Sequence, residues 1–414
     1  MPELGKGVIL GGGFAGFAAA YWFREYNTET PLVILEKTGG PLSWLDGKGM
    51  DSILAGSECG GGEPLIGRYL RGLPEIQRVM DAWPGETNLN WLESLGFKLK
   101  RDSTGMVSFA EGTDIRKKWS SILQDRNVEL KTNYAVESLS PQPDSTIRIW
   151  SRDGDSTEAR GLLFATGGER NHGLTLAREL GHETSPVEAG YLRLRLASPK
   201  LGSLLGPLTR NVNLKCLKSG EEASGSLSLT GRGLEGMAVS CLSARLGTVW
   251  RQLGHRLKIE VDWFPHRSHA KVIEEISDRS QRGGRQAIGD EPLFGFTIQQ
   301  WSYFLKQAKL DGQISWGKVN PRKLQALALQ LKRSRLLTSG SGLPSGERSW
   351  AGGIQSDSID WSRGKSTVMK RVWMAGEVMD FLGMPGGPHM NAVWASAYQA
   401  GCSMGMALKN ASKS

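Results

Sequence analysis

The stretch Lys6-Gly7-Val8-Ile9-Leu10-Gly11-Gly12-Gly13-Phe14-Ala15-Gly16 decides the fold, because it reads as a buried strand, a glycine-rich turn and the opening of a helix. Its spaced glycines carry separate duties: Gly11 permits the tight turn, Gly13 lets a pyrophosphate approach the backbone, and Gly16 lets the helix pack against the strand. A helix opening there presents unpaired N–H groups to an anion. The pattern alone is weak, so its flanks matter. Ala18-Ala19-Ala20 continues the helix, and Pro31-Leu32-Val33-Ile34-Leu35 forms a second apolar strand ending at Glu36, 20 residues past Gly16. An acid at that distance accepts hydrogen bonds from ribose hydroxyls, which points to NAD or FAD rather than NADP. The bland alternative is a glycine loop beside a solvated glutamate.

Two later stretches speak to the same site. The apolar strand ending in Ala165-Thr166-Gly167-Gly168 suits a chain that returns to the sheet beneath a cofactor, where small residues allow close backbone approach. The run Arg371-Val372-Trp373-Met374-Ala375-Gly376-Glu377-Val378-Met379-Asp380 is a strand that stops at an acid, and Gly386-Gly387-Pro388 then opens a small-residue helix from His389 to about Leu408. Pro388 suits a first helical turn, and the N–H groups behind it form a positive dipole end. Ala392, Ala395, Ser396 and Ala400 are small enough for that helix to pack closely on the first one. Between Glu36 and Gly62 glycines are too dense for regular structure, as expected of a loop draped over a cofactor.

The middle of the chain has another texture. Short alternating runs such as Tyr191-Leu192-Arg193-Leu194-Arg195-Leu196 and Leu227-Ser228-Leu229 predict an antiparallel sheet up to about Phe264. From Ser268 to Leu337 the pattern is helical, with Asn320-Pro321 as cap and first turn and Leu324, Leu327, Leu329 and Leu331 as one apolar side. Ser339 to Ser345 reads as a linker. The fold class is therefore α/β: a Rossmann-like domain from both chain ends (1–187 and 344–414), interrupted by an antiparallel β subdomain (188–266) and a helical subdomain (267–343).

Composition sets limits. The chain has 414 residues, enough for two or three domains. A net charge of +9 is spread without a long basic block, so nucleic acid is not the expected partner. The distant Cys59, Cys216, Cys241 and Cys402 lack metal or redox spacing and read as reduced thiols of a cytoplasmic protein. No leader precedes the first strand, and no apolar run reaches the ~18 residues that span a membrane. His266 and His269 lack a third ligand, so no metal is expected.

Taken together, Gly11 to Gly16, Glu36-Lys37, Leu163 to Gly168, Ala351-Gly352-Gly353-Ile354 and Ala375 to Asp380 resemble the bacterial BaiN/RdsA-like flavoproteins, described as NAD(P)/FAD-dependent or aminoacetone-oxidase-like oxidoreductases. Similarity extends to Asn90 to Val107 and Leu227 to Gly231. The resemblance implies non-covalent FAD held by Gly11, Gly13, Phe14, Ala15, Gly16, Glu36 and Lys37, by Val136, by Ala165, Thr166 and Gly167, by Gly376, Glu377 and Asp380, and by Gly387, His389, Met390 and Asn391. The function expected first is flavin-mediated hydride chemistry on a small or medium apolar molecule, either double-bond reduction or amine oxidation; no second GxGxxG unit exists, so if NAD(P)H reduces the flavin it enters transiently. The chain departs from the family at Gly47-Lys48-Gly49-Met50, at Ala55 to Cys59 and at Pro388-His389-Met390, so the family's substrate is not carried over. His389, at the last helix's start, is the candidate catalytic donor, with a capping or packing role as the alternative. Cys59 reads as a loop residue rather than a redox thiol. The competing function is a flavin-binding protein that uses its basic surface to associate with RNA.

Overall fold

The computed structural model describes residues 5–43, 54–57, 68–101, 105–168, 172–198, 208–230, 233–247, 252–253, 256–342 and 348–410. Of the stretches singled out above, Gly47 to Met50, Cys59 and Gly231 lie outside them. The chain divides into two compact units, one from Met1–Ala189 with Ser349–Ser414 and one from Gly190–Arg348.

In the first unit, β1 (Lys6–Leu10) is a central parallel strand buried from Gly7 to Leu10, which is why its sequence is a continuous apolar run. It leads through the glycine turn into α1 (Phe14–Tyr26), and β2 (Leu32–Leu35) returns beside it with Val8 opposite Val33. The chain continues through β3 (Leu54–Ser57), β4 (Tyr69–Arg71), α2 (Leu73–Ala82) and α3 (Gly85–Ser94). Next come β5 (Leu99–Arg101), β6 (Met106–Phe109), α4 (Ile115–Asp125) and β7 (Val128–Lys131), which extends the sheet in parallel outside β2. The antiparallel group β8 (Val136–Pro141) and β9 (Ile147–Ser151) feeds β10 (Ser156–Phe164), whose end pairs in parallel with β1. After α5 (His172–Glu179), β11 (Thr184–Ala189) ends this part of the unit.

The second unit is a closed antiparallel barrel with a helical excursion. Its strands are β12 (Arg193–Leu196), β13 (Leu208–Cys216), β14 (Glu222–Thr230), β15 (Gly233–Glu235), β16 (Lys258–Asp262) and β17 (Ser334–Gly342), in spatial order β12-β15-β14-β13-β16-β17. Leu194, Val212, Leu214, Leu227, Leu229, Leu234, Ile259 and Val261 are buried in it. The helix α6 (Met237–Leu246) interrupts a stretch expected to be sheet throughout. Between β16 and β17 lie α7 (His269–Gln281), α8 (Ile298–Gln307) and α9 (Pro321–Lys332), each opened by a side-chain cap at Ser268, Thr297 or Asn320.

Three readings need correction. The helical pattern stops at Lys332, because Ser334 to Leu337 pair with Val261 to Lys258 on β16. Ser339 to Gly342 continue that strand opposite β12 and are not a linker, so the helices are an excursion between barrel strands. On α9 the apolar side is Leu324, Leu327, Ala328 and Leu331, while Leu329 is exposed.

The chain re-enters the first unit with β18 (Trp350–Ile354), antiparallel to β11, then β19 (Ile359–Asp360), β20 (Lys365–Ser366) and β21 (Val372–Met374). β21 lies parallel beside β10, giving the parallel order β21-β10-β1-β2-β7. β22 (Leu382–Gly383) pairs with β4, and α10 (Pro388–Asn410) closes the unit. α10 meets α1 through glycines: a Cβ on Gly401 would lie 2.4 Å from the Ala19 carbonyl oxygen, and one on Gly405 2.8 Å from that of Phe23. Ser396 and Ala400 instead face Gly376 and Gly364, so they serve the sheet rather than α1. No described helix is long and apolar enough to cross a membrane.

Candidate functional site

At the carboxyl end of β1, Gly11 takes φ +106°, and a Cβ there would lie 2.5 Å from the Ala165 carbonyl oxygen after β10. A Cβ on Gly16 would stand 2.0 Å from the Gly11 oxygen, so α1 starts closer to the turn than any side chain allows. Gly13 behaves differently: nothing lies within 4 Å of where its Cβ would be, and no side chain caps α1. The first turn also carries no acid of its own. Open space thus faces a positive helix end.

Glu36, at the end of β2, is 9% exposed. Its Oε2 accepts the Gly12 N–H (2.8 Å), and its Oε1 accepts the Thr38 N–H (2.8 Å) and hydroxyl (2.6 Å). A carboxylate has about four acceptor positions, so one remains on Oε2. Lys37 is exposed at the strand end. The chain comes back alongside, with the Tyr134 N–H donating to the Glu36 carbonyl (2.9 Å). Two residues on, Val136 gives its carbonyl to His172 Nε2 at the start of α5.

The three glycine-marked strand ends come together. Ala165 N donates to Leu10 O and Ala375 N to Phe164 O, both at 2.9 Å, which aligns the ends of β1, β10 and β21. A Cβ on Gly376 (φ +73°) would lie 2.7 Å from that of Ala15. Gly167 takes φ +68° with nothing within 4 Å of its Cβ position, and Thr166 Oγ1 beside it is buried without a partner. Phe14 does not face this space: its ring packs against Trp394 and Phe109, at 5.1 and 5.9 Å between centroids.

The last segment divides its acids. Asp380 Oδ2 pairs with Arg71 on β4 (2.7 Å), while Asp380 Oδ1 is buried with no partner. Glu377 Oε1 receives the Ser349 hydroxyl (3.0 Å) and the Trp350 N–H (3.3 Å), and lies 2.8 Å from His389 Nε2. On the other side of the imidazole, Nδ1 accepts the Gly383 N–H at 3.2 Å. That fixes the tautomer, since an Nδ1 that accepts carries no proton and Nε2–H is the donor, shared between Glu377 Oε1 and Ser349 Oγ (2.9 Å). Serine and acid meet the same ring nitrogen, so this is not a hydrolytic relay, which uses opposite nitrogens.

This corrects the part expected of His389. The ring is 3% exposed with both nitrogens engaged, so it is a buried strut rather than a free donor. Asn391 is corrected too, because its N–H is spent on Gly387 O (3.0 Å) and its 0% exposed side chain holds Ser57 N–H and C=O on β3. Met390 stays partly exposed. Gly387, at φ +114°, sits where a Cβ would be 2.2 Å from the Gly56 oxygen. Ser349 had no sequence signal, standing 28 and 40 residues from its partners.

These residues fit a dinucleotide. An uncapped helix end, two glycines open to space, an acceptor left on Glu36 and an orphaned buried oxygen, Asp380 Oδ1, suit phosphates, ribose hydroxyls and polyol hydroxyls in turn. Among the described residues no cluster of three or more His, Cys, Asp or Glu could hold a metal.

A parallel sheet with its glycine turns and acids gathered at the carboxyl strand ends defines a dinucleotide-binding protein of the flavoprotein kind. The chain belongs to the HI0933-like family, whose "HI0933-like protein Rossmann domain" model matches residues 6–403. It is accordingly an FAD-dependent oxidoreductase of the BaiN/RdsA type. It is 22% identical over 416 residues to a 3-dehydro-bile acid delta(4,6)-reductase of Clostridium scindens, covering 95% of this chain and 97% of that one. Solved structures that align with it include the 3-ketosteroid-delta4-(5alpha)-dehydrogenase of Rhodococcus jostii RHA1 (14% identity, 96% of each chain, TM-score 0.48). Another is a quinol-fumarate reductase (13% identity, 98% of this chain and 71% of that one, TM-score 0.49).

Proposed function

We propose that the chain holds FAD without a covalent bond at the carboxyl ends of β1, β10 and β21, and reduces a carbon–carbon double bond conjugated to a carbonyl in a medium-sized apolar molecule. NAD(P)H is the transient donor in this reading, and a fused-ring oxo acid of the bile acid kind is the substrate class suggested by the related reductase. The observation that carries the cofactor site is Asp380 Oδ1, a buried acceptor left unpaired although its carboxylate is already anchored by Arg71. Such an atom costs about 1–3 kcal/mol unless a ligand donates to it.

When bound, FAD supplies the hydride chemistry. The protein's part is binding and orientation. Backbone N–H groups at the start of α1 meet the pyrophosphate, Glu36 meets the adenosine ribose, and Asp380 meets the polyol chain. Ser349 and His389 fix the Glu377 carboxylate, and His389 braces the Gly383 turn that aims α10. His389 is thus proposed as a positioning residue. Lys37 and Val136 flank the adenosine side and Met390 the α10 side. Buried thiols at Cys216, Cys241 and Cys402 suit the reducing cytoplasm.

The RNA-associated reading gains no support from the surface. Some exposed cations pair with acids, as in Arg148–Glu158 and Lys215–Glu222, and a cavity of about 500 Å³ in the second unit mixes Lys215, Lys332 and Arg333 with Glu222, Glu260 and Asp262.

The test is direct. Purified protein should be yellow and release FAD on acid precipitation. Without oxygen, NADH or NADPH should bleach it, and a 3-oxo-4,6-diene bile acid should restore the colour while losing its dienone absorbance. Hydrogen peroxide formed from an amine substrate instead would move the reading to amine oxidation, and colourless protein that takes up no FAD would overturn it.

A further inference from the structure

In the second unit one end of the barrel closes over an arginine. On β13, Val212, Leu214 and Cys216 are 0% exposed, and strand alternation puts Arg210 on the same inward face near the strand's start. Its guanidinium carbon lies 4.2 Å from the centre of the Phe296 ring and 4.8 Å from that of Phe264. Phe264 follows β16, and Phe294 and Phe296 precede α8. The rings pack together, with Phe264 at 4.9 Å from Phe294 and 5.9 Å from Phe296. A second guanidinium, Arg267, approaches the same cluster, 5.5 Å from Phe264 and 5.7 Å from Phe294.

Packing accounts for the rings but not for the charge. Arg210 Nη2 donates to the Phe294 carbonyl, whereas Nη1 is buried with no acceptor. The charge that acts on Arg210 is another cation, so burial and then Arg267 hold its pKa below the ordinary arginine value. Arg267 has an acid of its own in Glu275 (3.3 Å). Ring faces offset only part of what a desolvated guanidinium loses. Arg24 shows how this chain settles such a group elsewhere: also buried, it donates to the carbonyls of Asn27, Thr30 and Asn127. The carbonyl that Arg210 does hold is presented under strain. Phe294 takes φ +61°, a left-handed conformation that a bulky side chain disfavours. Among the described residues, a strained neutral carbonyl therefore occupies the place where a buried cation calls for an anion.

We propose that Arg210, with Arg267 beside it, binds the carboxylate of an organic acid that has a flat apolar body. The carboxylate replaces the Phe294 carbonyl and pairs end-on with Nη1 and Nη2, a planar match for the guanidinium fork. Phe294, released, leaves the left-handed region and lays its ring against the ligand's body. A phosphate brings more acceptor oxygens than two guanidiniums among phenylalanine rings can satisfy, so the monoanion is preferred. The site lies wholly within the second unit and stands apart from the FAD reading.

Calorimetric titration of the full chain with benzoate, benzamide and inorganic phosphate tests it. Benzoate should bind at one site, and benzamide, its neutral counterpart, about tenfold or more weaker, as loss of a charge-assisted bond dictates. Arg210→Gln should weaken benzoate by about tenfold or more, and Arg210→Lys should restore only part of that, since it returns the charge without the fork. Phe294→Gly, which tolerates positive φ without strain, should hold the carbonyl on Arg210 more firmly and also weaken benzoate. Arg148→Gln, in the first unit, should change nothing. Phe294→Gly leaves Arg210 in place, so it reads the site even where Arg210→Gln fails to fold. Absence of benzoate binding, equal binding of benzamide, or wild-type affinity in folded Arg210→Gln or in Phe294→Gly would overturn the site. Phosphate that displaced benzoate would overturn its assignment to carboxylates.

Discussion

At Gly16 an added Cβ would overlap the Gly11 carbonyl oxygen, whereas at Gly13 it would point into open space from a backbone of φ −90° and ψ −174°, which any residue adopts. The two glycines of one motif therefore give separable outcomes. Gly16→Ala should lower the melting temperature with or without FAD, by about 1–3 kcal/mol of overpacking. Gly13→Val should leave the unliganded protein within about 1 kcal/mol of wild type and abolish flavin absorbance. A Gly13→Val protein that kept full FAD would contradict the assignment of this turn. A second residue predicts a pH dependence. His182 is 2% exposed, with Nδ1 on the Ala177 carbonyl (2.9 Å) and Nε2 on the Ser366 hydroxyl (2.8 Å). Burial pushes its pKa below the ordinary 6.5, outweighing the opposing Ala177 bond. The unfolded chain therefore takes up a proton first as pH falls, and stability should decline below about 6.5. Denaturant midpoints in neutral and mildly acidic buffers should differ less in His182→Gln than in wild type.

Among the elements, the start of α10 is tied to β3 and β4. Asn391 spans to Ser57 through both its N–H and C=O, Trp394 Nε1 donates to Ala55 O (2.7 Å), and Tyr69 donates to Pro388 O (2.7 Å). Asn391→Leu would remove the side-chain bonds to the Ser57 N–H and C=O, at about 0.5–1.5 kcal/mol each. It should lower thermal stability and FAD affinity together, and unchanged affinity in a destabilised protein would show that the helix start is only scaffold. The same elements show what a sequence reveals. The turns at Gly11, Gly167 and Gly376 were legible because all three take positive φ, a local demand that glycine answers, and at Gly11 and Gly376 the neighbouring segments at Ala165 and Ala15 leave no room for a side chain either. β17 was not, because its inward positions are Ser334, Leu336 and Thr338, and polar residues inside a barrel hide the alternation. Nor was the Ser349–Glu377–His389 cluster, which exists only once three distant segments meet.

For the whole molecule, the informative point is where the second unit leaves and rejoins the first. Ala189, the last residue of β11, pairs directly with Trp350, the first of β18, so the ends of the 190–348 excursion lie on adjacent antiparallel strands. Residues on paired strands can be joined by a hairpin loop of two to five residues. The parallel sheet, Glu36, Glu377, Asp380 and α10 all belong to the first unit. A chain with residues 191–348 replaced by a short glycine-serine loop should therefore fold, show cooperative thermal unfolding and bind FAD. If the barrel unit supplies substrate recognition, the shortened protein should still be reduced by dithionite but should lose turnover of the dienone. A shortened chain that is well folded by circular dichroism yet takes up no FAD would show that the barrel unit contributes to cofactor binding, and retained turnover would show that recognition, like the cofactor site, is contained in the first unit.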